Sequence, residues 1–324
     1  MNILVTGGLG NIGRNVVEEL IKLYYNVVIF DKLTKKTIKI HKKLSKKYSY
    51  TVHWGDITSR ESILPALANI DAIVHLVAIL PPISEINPDL AYKVNVLGTK
   101  NLIAEAEKSN PNIHLIYSSS FTIYEPRMDK KPPLKVQDPI KATDNYSFHK
   151  VEAEKIILGS KLNYTIIRFG AVLPLDVLGE GIDSYVFRIP LDQRIHFIHH
   201  HDAALALVHA LERKKYNKIF LGGGGNDCKL LQGDLLRRSL EASGIGMFPE
   251  KAFKKAKQPC DYVYFDWMDT EESEKELQFQ QLTYEDYIND LRNFLGYKRH
   301  VARLFSPIVK YILLKKSPYM KVEQ

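Results

Sequence analysis

An α/β fold is what the sequence predicts: a doubly wound parallel sheet, covered by helices on both faces, with a smaller cap towards the C-terminus. Three observations predict it. Apolar runs that read as strands alternate with helical stretches through the first half of the 324 residues. Those runs are continuously apolar rather than alternating, as strands buried on both faces are. A glycine-rich turn joins the first strand to the first helix.

Taken in order, a strand is expected at 3–6, a helix at about 13–23 and a second strand at 26–30. Lysines crowd 32–47, which reads as a solvated loop and short helix. Buried strands follow at 49–54, 72–76, 114–118 and 165–169, with helices at about 59–69, 89–109 and 144–161. The second half is less regular: a strand at 194–199, a helix at 202–213, a strand ending in Gly222–Gly225, a helix at about 230–242 and a last body helix at 284–295. Asp269-Thr270-Glu271-Glu272 reads as a helix N-terminus, its acids suited to the dipole. The expected organisation is a nucleotide-binding domain over 1–172, a substrate-binding cap over 173–296 partly interleaved with the sheet, and a tail over 297–324.

The composition, 45% hydrophobic and 25% charged, is that of a soluble globular protein. Two cysteines, Cys228 and Cys260, are too few for a disulfide framework. No targeting segment opens the chain, and no apolar run approaches the roughly 20 residues that cross a bilayer. A cytoplasmic address is expected. The net charge of +8 is uneven: 297–324 hold seven Lys/Arg against Glu323, or +6, leaving +2 for the rest. A nucleic-acid binder carries its basic face on the folded body, so nucleic acid is not an expected partner.

Thr6-Gly7-Gly8-Leu9-Gly10-Asn11-Ile12-Gly13 lies where the first strand meets the first helix. One glycine makes the tight turn, another lets backbone approach a pyrophosphate, and the last lets helix and strand pack closely. The helix N-terminus then offers N–H groups to the anion. Asp31 ends the second strand, 18 residues past Gly13, where a carboxylate accepts from the adenosine ribose hydroxyls. It repels a 2′-phosphate, which favours NAD over NADP, although Lys32, Lys35 and Lys36 stand near enough to soften that repulsion. This context makes the turn a Rossmann-type dinucleotide site rather than a plain strand-to-helix connection.

Tyr146-Ser147-Phe148-His149-Lys150 is the strongest chemical signal. Tyrosine and lysine four apart share a helix face. A phenol titrating near about 10 is a poor base at neutral pH, and an adjacent ammonium favours its ionised form. That makes Tyr146 usable as a general acid/base. Ser118-Ser119-Ser120 ends the fifth strand, and the run continues through Phe121-Thr122-Ile123-Tyr124.

These segments, in this order over most of residues 1–296, resemble the extended short-chain dehydrogenase/reductase family, which includes NAD-dependent epimerases and dehydratases. Gly55-Asp56-Ile57, His75-Leu76-Val77-Ala78, Asn95-Val96-Leu97-Gly98-Thr99 and Phe197-Ile198-His199 with Asp202 extend the resemblance. It implies Ser120, Tyr146 and Lys150 as catalytic residues, with Ser120 orienting the substrate oxygen and Lys150 holding the cofactor ribose. It implies NAD contacts at Gly7, Gly10, Asn11, Ile12, Gly13, Asp31, Asp56, Ile57, Leu76, Ala78 and Asn95, besides Tyr146 and Lys150. A homodimer through the helices at 89–109 and 144–161 is also implied. The expected activity is hydride transfer at a secondary alcohol or ketone, as net dehydrogenation or epimerisation. A nucleotide-sugar 4-epimerase and a non-catalytic NAD sensor are the alternatives.

The chain departs from the family in two places. Phe121-Thr122 stands where dehydratases carry an Asp-Glu pair, so elimination is not expected. Only 170–196 separate the sixth strand from the Phe-Ile-His segment, with Arg188 and Arg194 as phosphate candidates, and the loop Ile79-Leu80-Pro81-Pro82-Ile83 is apolar. A small or partly apolar substrate suits this better than a nucleoside diphosphate, unless those apolar residues merely pack the cap.

His199-His200-His201 with Asp202 suggests no metal, because neighbouring strand residues point to opposite faces. His149 turns away from Tyr146 and Lys150. Gly222–Gly225 lacks the lysine-serine/threonine pair of a phosphate loop, and Cys228 reads as structural. In the tail, a helix beginning at Ser306-Pro307 places Ile308, Val309, Ile312 and Leu313 on one face with Lys310, Lys315 and Lys316 elsewhere. Such a helix lies on an anionic membrane surface, docks on the body or a partner subunit, or frays. In the first case the protein is peripheral to the inner membrane surface.

Overall fold

A computed structural model describes residues 1–176, 184–263 and 265–320. The strands are β1 (Asn2–Thr6), β2 (Asn26–Asp31), β3 (Thr51–Trp54), β4 (Ala72–His75), β5 (His114–Ser120), β6 (Asn163–Phe169), β7 (Arg194–His196), β8 (Lys218–Gly222) and β9 (Lys229–Leu231). Seven of them form one parallel sheet in the order β3-β2-β1-β4-β5-β6-β8, while β7 and β9 pair antiparallel beside it. The strand order reverses between β1 and β4, the crevice where doubly wound sheets take ligands.

The longer helices are α1 (Gly13–Lys22), α2 (Lys35–Leu44), α3 (Thr99–Ser109), α4 (Asn145–Leu158), α5 (His200–Glu212), α6 (Gln232–Ala242), α7 (Glu271–Leu277), α8 (Tyr284–Leu295) and α9 (Lys298–Leu314). Burial on both faces explains the unbroken apolar strands. Ile3 and Val5 of β1 point into a core completed by Val16, Val17 and Leu20 of α1 and by the apolar residues of α5. Leu4, between them, points the other way, into a core with Leu102 and Ile103 of α3 and Ala153 and Ile157 of α4. Each strand therefore needs apolar residues at every position. Both α5 and β8, beyond residue 172, complete this central layer rather than a separate cap.

Three expectations change. The helix expected over 89–109 is a short helix at Pro88–Tyr92, a π-helical turn at Lys93–Gly98 and then α3. The strand expected over 194–199 ends at His196, because His199 already caps α5. The tail helix begins at Lys298, and Pro307 lies inside it. Its first turn is held to the body, where the Arg299 carbonyl packs so closely on Gly244 that a Cβ there would lie 2.1 Å from it. Its outward and inward residues also divide differently from the expected single apolar face: Leu313 is buried and Val309 packs on the body, whereas Ile308 and Ile312 face outward.

Candidate functional site

The glycine turn crosses the C-terminal edge of β1. Gly7 has φ +72°, which favours glycine, and a Cβ there would press on the backbone of Leu76 and Val77. A Cβ at Gly13 would lie 2.2 Å from the Gly7 carbonyl, so helix and strand could not pack as closely. Gly10 folds the turn by donating to the Gly7 carbonyl at 2.9 Å. No side chain caps α1 and its first turn has no acid, so the dipole end stays open to an anion. Asn11 and Ile12 line this end half-buried, with Asn11 reaching the Leu173 carbonyl at 3.5 Å.

Asp31 closes the far side. Its carboxylate accepts from the Leu9 N–H at 3.0 Å and the Lys32 N–H at 2.8 Å, while burial raises its pKa. The Lys32 ammonium turns to Asp56 at 2.9 Å, which drops the Asp56 pKa to about 2. Lys32 is thereby drawn away from Asp31. Ile57, next along, is buried against Gly98 in the core. Leu76 and Ala78 lie half-buried past β4, where the Leu76 N–H donates to both oxygens of Thr6. Asn95 grips the loop after Ala78 by both ends of its amide, accepting from the Ile79 N–H at 2.7 Å and donating to its carbonyl at 2.9 Å. It acts on the site through that loop. A dinucleotide fits this set of residues: an open helix end for the pyrophosphate and a carboxylate for the ribose.

Ser120 ends β5 and Tyr146 lies in the first turn of α4. Ser120 Oγ accepts from the Thr122 N–H at 3.3 Å. Burial pushes the Tyr146 pKa well above 10, and the nearby Ser120 hydroxyl pulls it back. Lys150 is buried one turn further on, its Nζ 5.8 Å from the Tyr146 ring centre. Its ammonium donates to the Ser118 carbonyl at 2.6 Å and the Tyr117 hydroxyl at 3.2 Å, and burial draws its pKa down to about 7 against the pull of Glu154.

Four contributing residues escaped the sequence reading. Tyr117 is one. Glu154 accepts from Ser119 and, twice, from Arg168 of β6 at 2.7 and 3.0 Å, tying β5, β6 and α4 together beneath the catalytic residues. Glu85, from the apolar loop region, accepts from the Asn145 and Tyr146 N–H groups at 3.2 and 3.1 Å and seats the start of α4. The hydroxyl of Thr122 is buried with no hydrogen-bond partner, two residues from Ser120. Repeating positions in the sequence give no sign of these, although a Thr two residues after the catalytic hydroxyl lay in the quoted motif.

The seven-stranded sheet agrees with comparisons to known proteins. The sequence matches the NAD dependent epimerase/dehydratase family over residues 3–222, more than half of its length. The chain belongs to that family. It is 30% identical over 156 residues to the human sterol-4-alpha-carboxylate 3-dehydrogenase, decarboxylating, covering 48% of this chain and 39% of that one. Against the 3-beta-hydroxysteroid dehydrogenase of Mycolicibacterium neoaurum it is 30% identical over 195 residues, 57% of this chain and 50% of that one. The chain thus spans half or less of the length of these relatives. Its fold is similar to that of a UDP-glucose-4-epimerase from Stenotrophomonas maltophila, with TM-score 0.76 and 20% identity over 94% of this chain and 99% of that one.

Two expectations about this family member's site are corrected. Arg194 is no free phosphate ligand: it forms a two-pronged pair with fully buried Asp266 at 2.6 and 3.1 Å and also donates to the Arg127 and Lys130 carbonyls. Arg188 stays exposed on the turn Ser184–Arg188. The histidine run does not alternate as a strand would, because it begins a helix; the His199 and His200 rings stack 4.2 Å apart, and donor atoms of both lie within 4.8 Å of one another and of an Asp290 oxygen. His199 Nδ1 accepts from the His201 N–H at 3.2 Å, and its Nε2 lies 3.4 Å from an Asp290 oxygen without a hydrogen bond among the described residues. His149 does turn away, towards Asn95 and Tyr92.

Proposed function

We propose that this chain is an NAD-dependent oxidoreductase or epimerase acting at a secondary alcohol or ketone, with Ser120, Tyr146 and Lys150 as its catalytic residues. The observation that carries the proposal is the placing of Tyr146 and buried Lys150 on successive turns of α4, Nζ 5.8 Å from the phenol ring centre, with the Ser120 hydroxyl at the end of β5 acting on the same phenol. NAD⁺, when bound, accepts or returns the hydride and sets a positive charge beside Tyr146. Gly7, Gly10, Asn11, Ile12 and Gly13 would hold its pyrophosphate. Asp31 would take the adenosine ribose, and Asp56 and Ile57 the adenine side. Leu76 and Ala78 would flank the nicotinamide side, with Asn95 behind them.

Ser120 holds the substrate oxygen by a hydrogen bond, and Tyr146 takes the hydroxyl proton onto its phenolic oxygen. In reverse, Tyr146 gives that proton back as a ketone becomes an alcohol. Lys150 steadies the ionised phenol electrostatically and reaches for the ribose. A pKa of about 7 lets the Lys150 amine take or release a proton near neutrality.

The site favours a substrate with an apolar part. Leu80 and Ile83 are both 55% exposed along the loop after β4, and Phe121, where an acid would drive elimination, stacks on Phe265 in the core. A nucleotide-sugar 4-epimerase is the second reading, with Arg188 left as its phosphate contact. We also infer a homodimer through α3, α4 and the turns before them, where Leu97 and Phe148 are 39% and 47% exposed, and a cytoplasmic address.

The test is to incubate the purified protein with NAD⁺ and either a 3β-hydroxysteroid or UDP-glucose, following NADH absorbance and product stereochemistry. NADH formed with the steroid supports the first reading, and inversion of the sugar without NADH the second. In either assay Tyr146→Phe should lose roughly 100- to 10,000-fold in rate. A variant that keeps full biological function would instead indicate a non-catalytic sensor.

A further inference from the structure

The outward face of α9 carries an apolar stripe that the body leaves uncovered. Val301, Leu304, Phe305, Ile308, Tyr311 and Ile312 follow the spacing of one helix face and are 48–76% exposed. The opposite side is fixed to the body: Leu313 and Val309 pack with Phe187, Leu240 and Phe248, and the Ser317 hydroxyl donates to the Ala252 carbonyl at 2.6 Å just past the helix end. The stripe is therefore held rigidly outward. Contiguous exposed apolar surface on this scale marks a contact site.

Charge points to the occupant. Residues 298–322 hold seven Lys/Arg and no Asp or Glu. Lys298 flanks one end of the stripe and Lys315 and Lys316 the other. A second copy pairing through the same stripe would bring Lys298, Lys315 and Lys316 of both copies together, whereas an anionic lipid surface neutralises them. Among the described residues no helix is long and apolar enough to cross a membrane, so α9 would lie on one. We propose that α9 docks the protein on an anionic membrane surface. Its apolar stripe enters the headgroup boundary, and lipid phosphates meet the flanking Lys298, Lys315 and Lys316.

Flotation of the full chain with vesicles tests this. Protein should float with vesicles of phosphatidylcholine and phosphatidylglycerol, stay unbound with phosphatidylcholine alone, and be released as salt rises. Lys315→Glu with Lys316→Glu should weaken binding roughly tenfold or more. Leu304→Glu with Ile308→Glu should abolish it, while melting temperature and NAD binding stay as in the wild type, since both side chains face solvent. Failure of the wild type to float with anionic vesicles at low salt would overturn the proposal. So would undiminished binding by the Leu304→Glu, Ile308→Glu variant, or a wild-type dimer that this variant turns monomeric.

Discussion

At the scale of single residues, two electrostatic arrangements carry the account. The Ser120 hydroxyl draws down the pKa of the Tyr146 phenol, and Lys32 pairs with Asp56 rather than with Asp31. A carboxylate beside a ribose gains by accepting hydrogen bonds and repels a 2′-phosphate. Asp31→Asn should therefore weaken NAD roughly tenfold, the size of a hydrogen bond to a charged group, and admit NADP. Isothermal titration with both dinucleotides checks this; unchanged affinity for each would place the ribose elsewhere. The sequence raised Asp31 and Lys32 together, but which carboxylate Lys32 chooses depends on β3 lying beside β2, and no local pattern records that.

Among elements, α4 does most to assemble the site. It presents Tyr146 and Lys150 on one face, buries Glu154 against Arg168 and is seated by Glu85. Glu85 also places a negative charge at the positive end of the helix dipole, worth about 0.3–1 kcal/mol. Glu85→Gln should cost about that much stability in urea unfolding. It should also slow turnover more than it weakens NAD, because Tyr146 loses its seat while the glycine turn does not. An equal loss in both would show that Glu85 supports the fold generally. Elements of this kind were legible in the sequence because local periodicity produces them: buried strands are apolar throughout, and Tyr146 and Lys150 share a helix turn. Their tertiary partners were not. Glu85 meets α4 across 60 residues and Arg194 meets Asp266 across 72, so neither contact leaves a local trace, and Arg194 looked like a phosphate ligand until Asp266 was seen beneath it. The tail helix was misplaced for the same reason, since its start is fixed by Gly244 on another element.

For the whole molecule, His75, His114, His196, His199 and His200 are all buried. Burial holds His75 at about 3 and His114, His196, His199 and His200 at about 4, against 6.5 for a free side chain. Each binds its proton less tightly folded than unfolded, so the unfolded chain takes up more protons between pH 6.5 and 4, and stability falls as pH falls through that window. His201, raised by Asp202, opposes the others but only singly. These losses reinforce one another, so the protein should lose stability steeply between pH 6.5 and 4. Circular dichroism against pH reads this directly, and a fold intact at pH 4 would mean the histidines are less buried than described. The central claim is that one doubly wound sheet brings a dinucleotide cradle and the hydroxyls of Ser120 and Tyr146 to the same edge. Its most direct test is a crystal structure of the protein with NAD⁺. The account predicts the adenosine ribose on Asp31, the pyrophosphate at the start of α1 and the nicotinamide within contact of Tyr146. A dinucleotide bound elsewhere, or one whose nicotinamide lies apart from the hydroxyls of Ser120 and Tyr146, would contradict it.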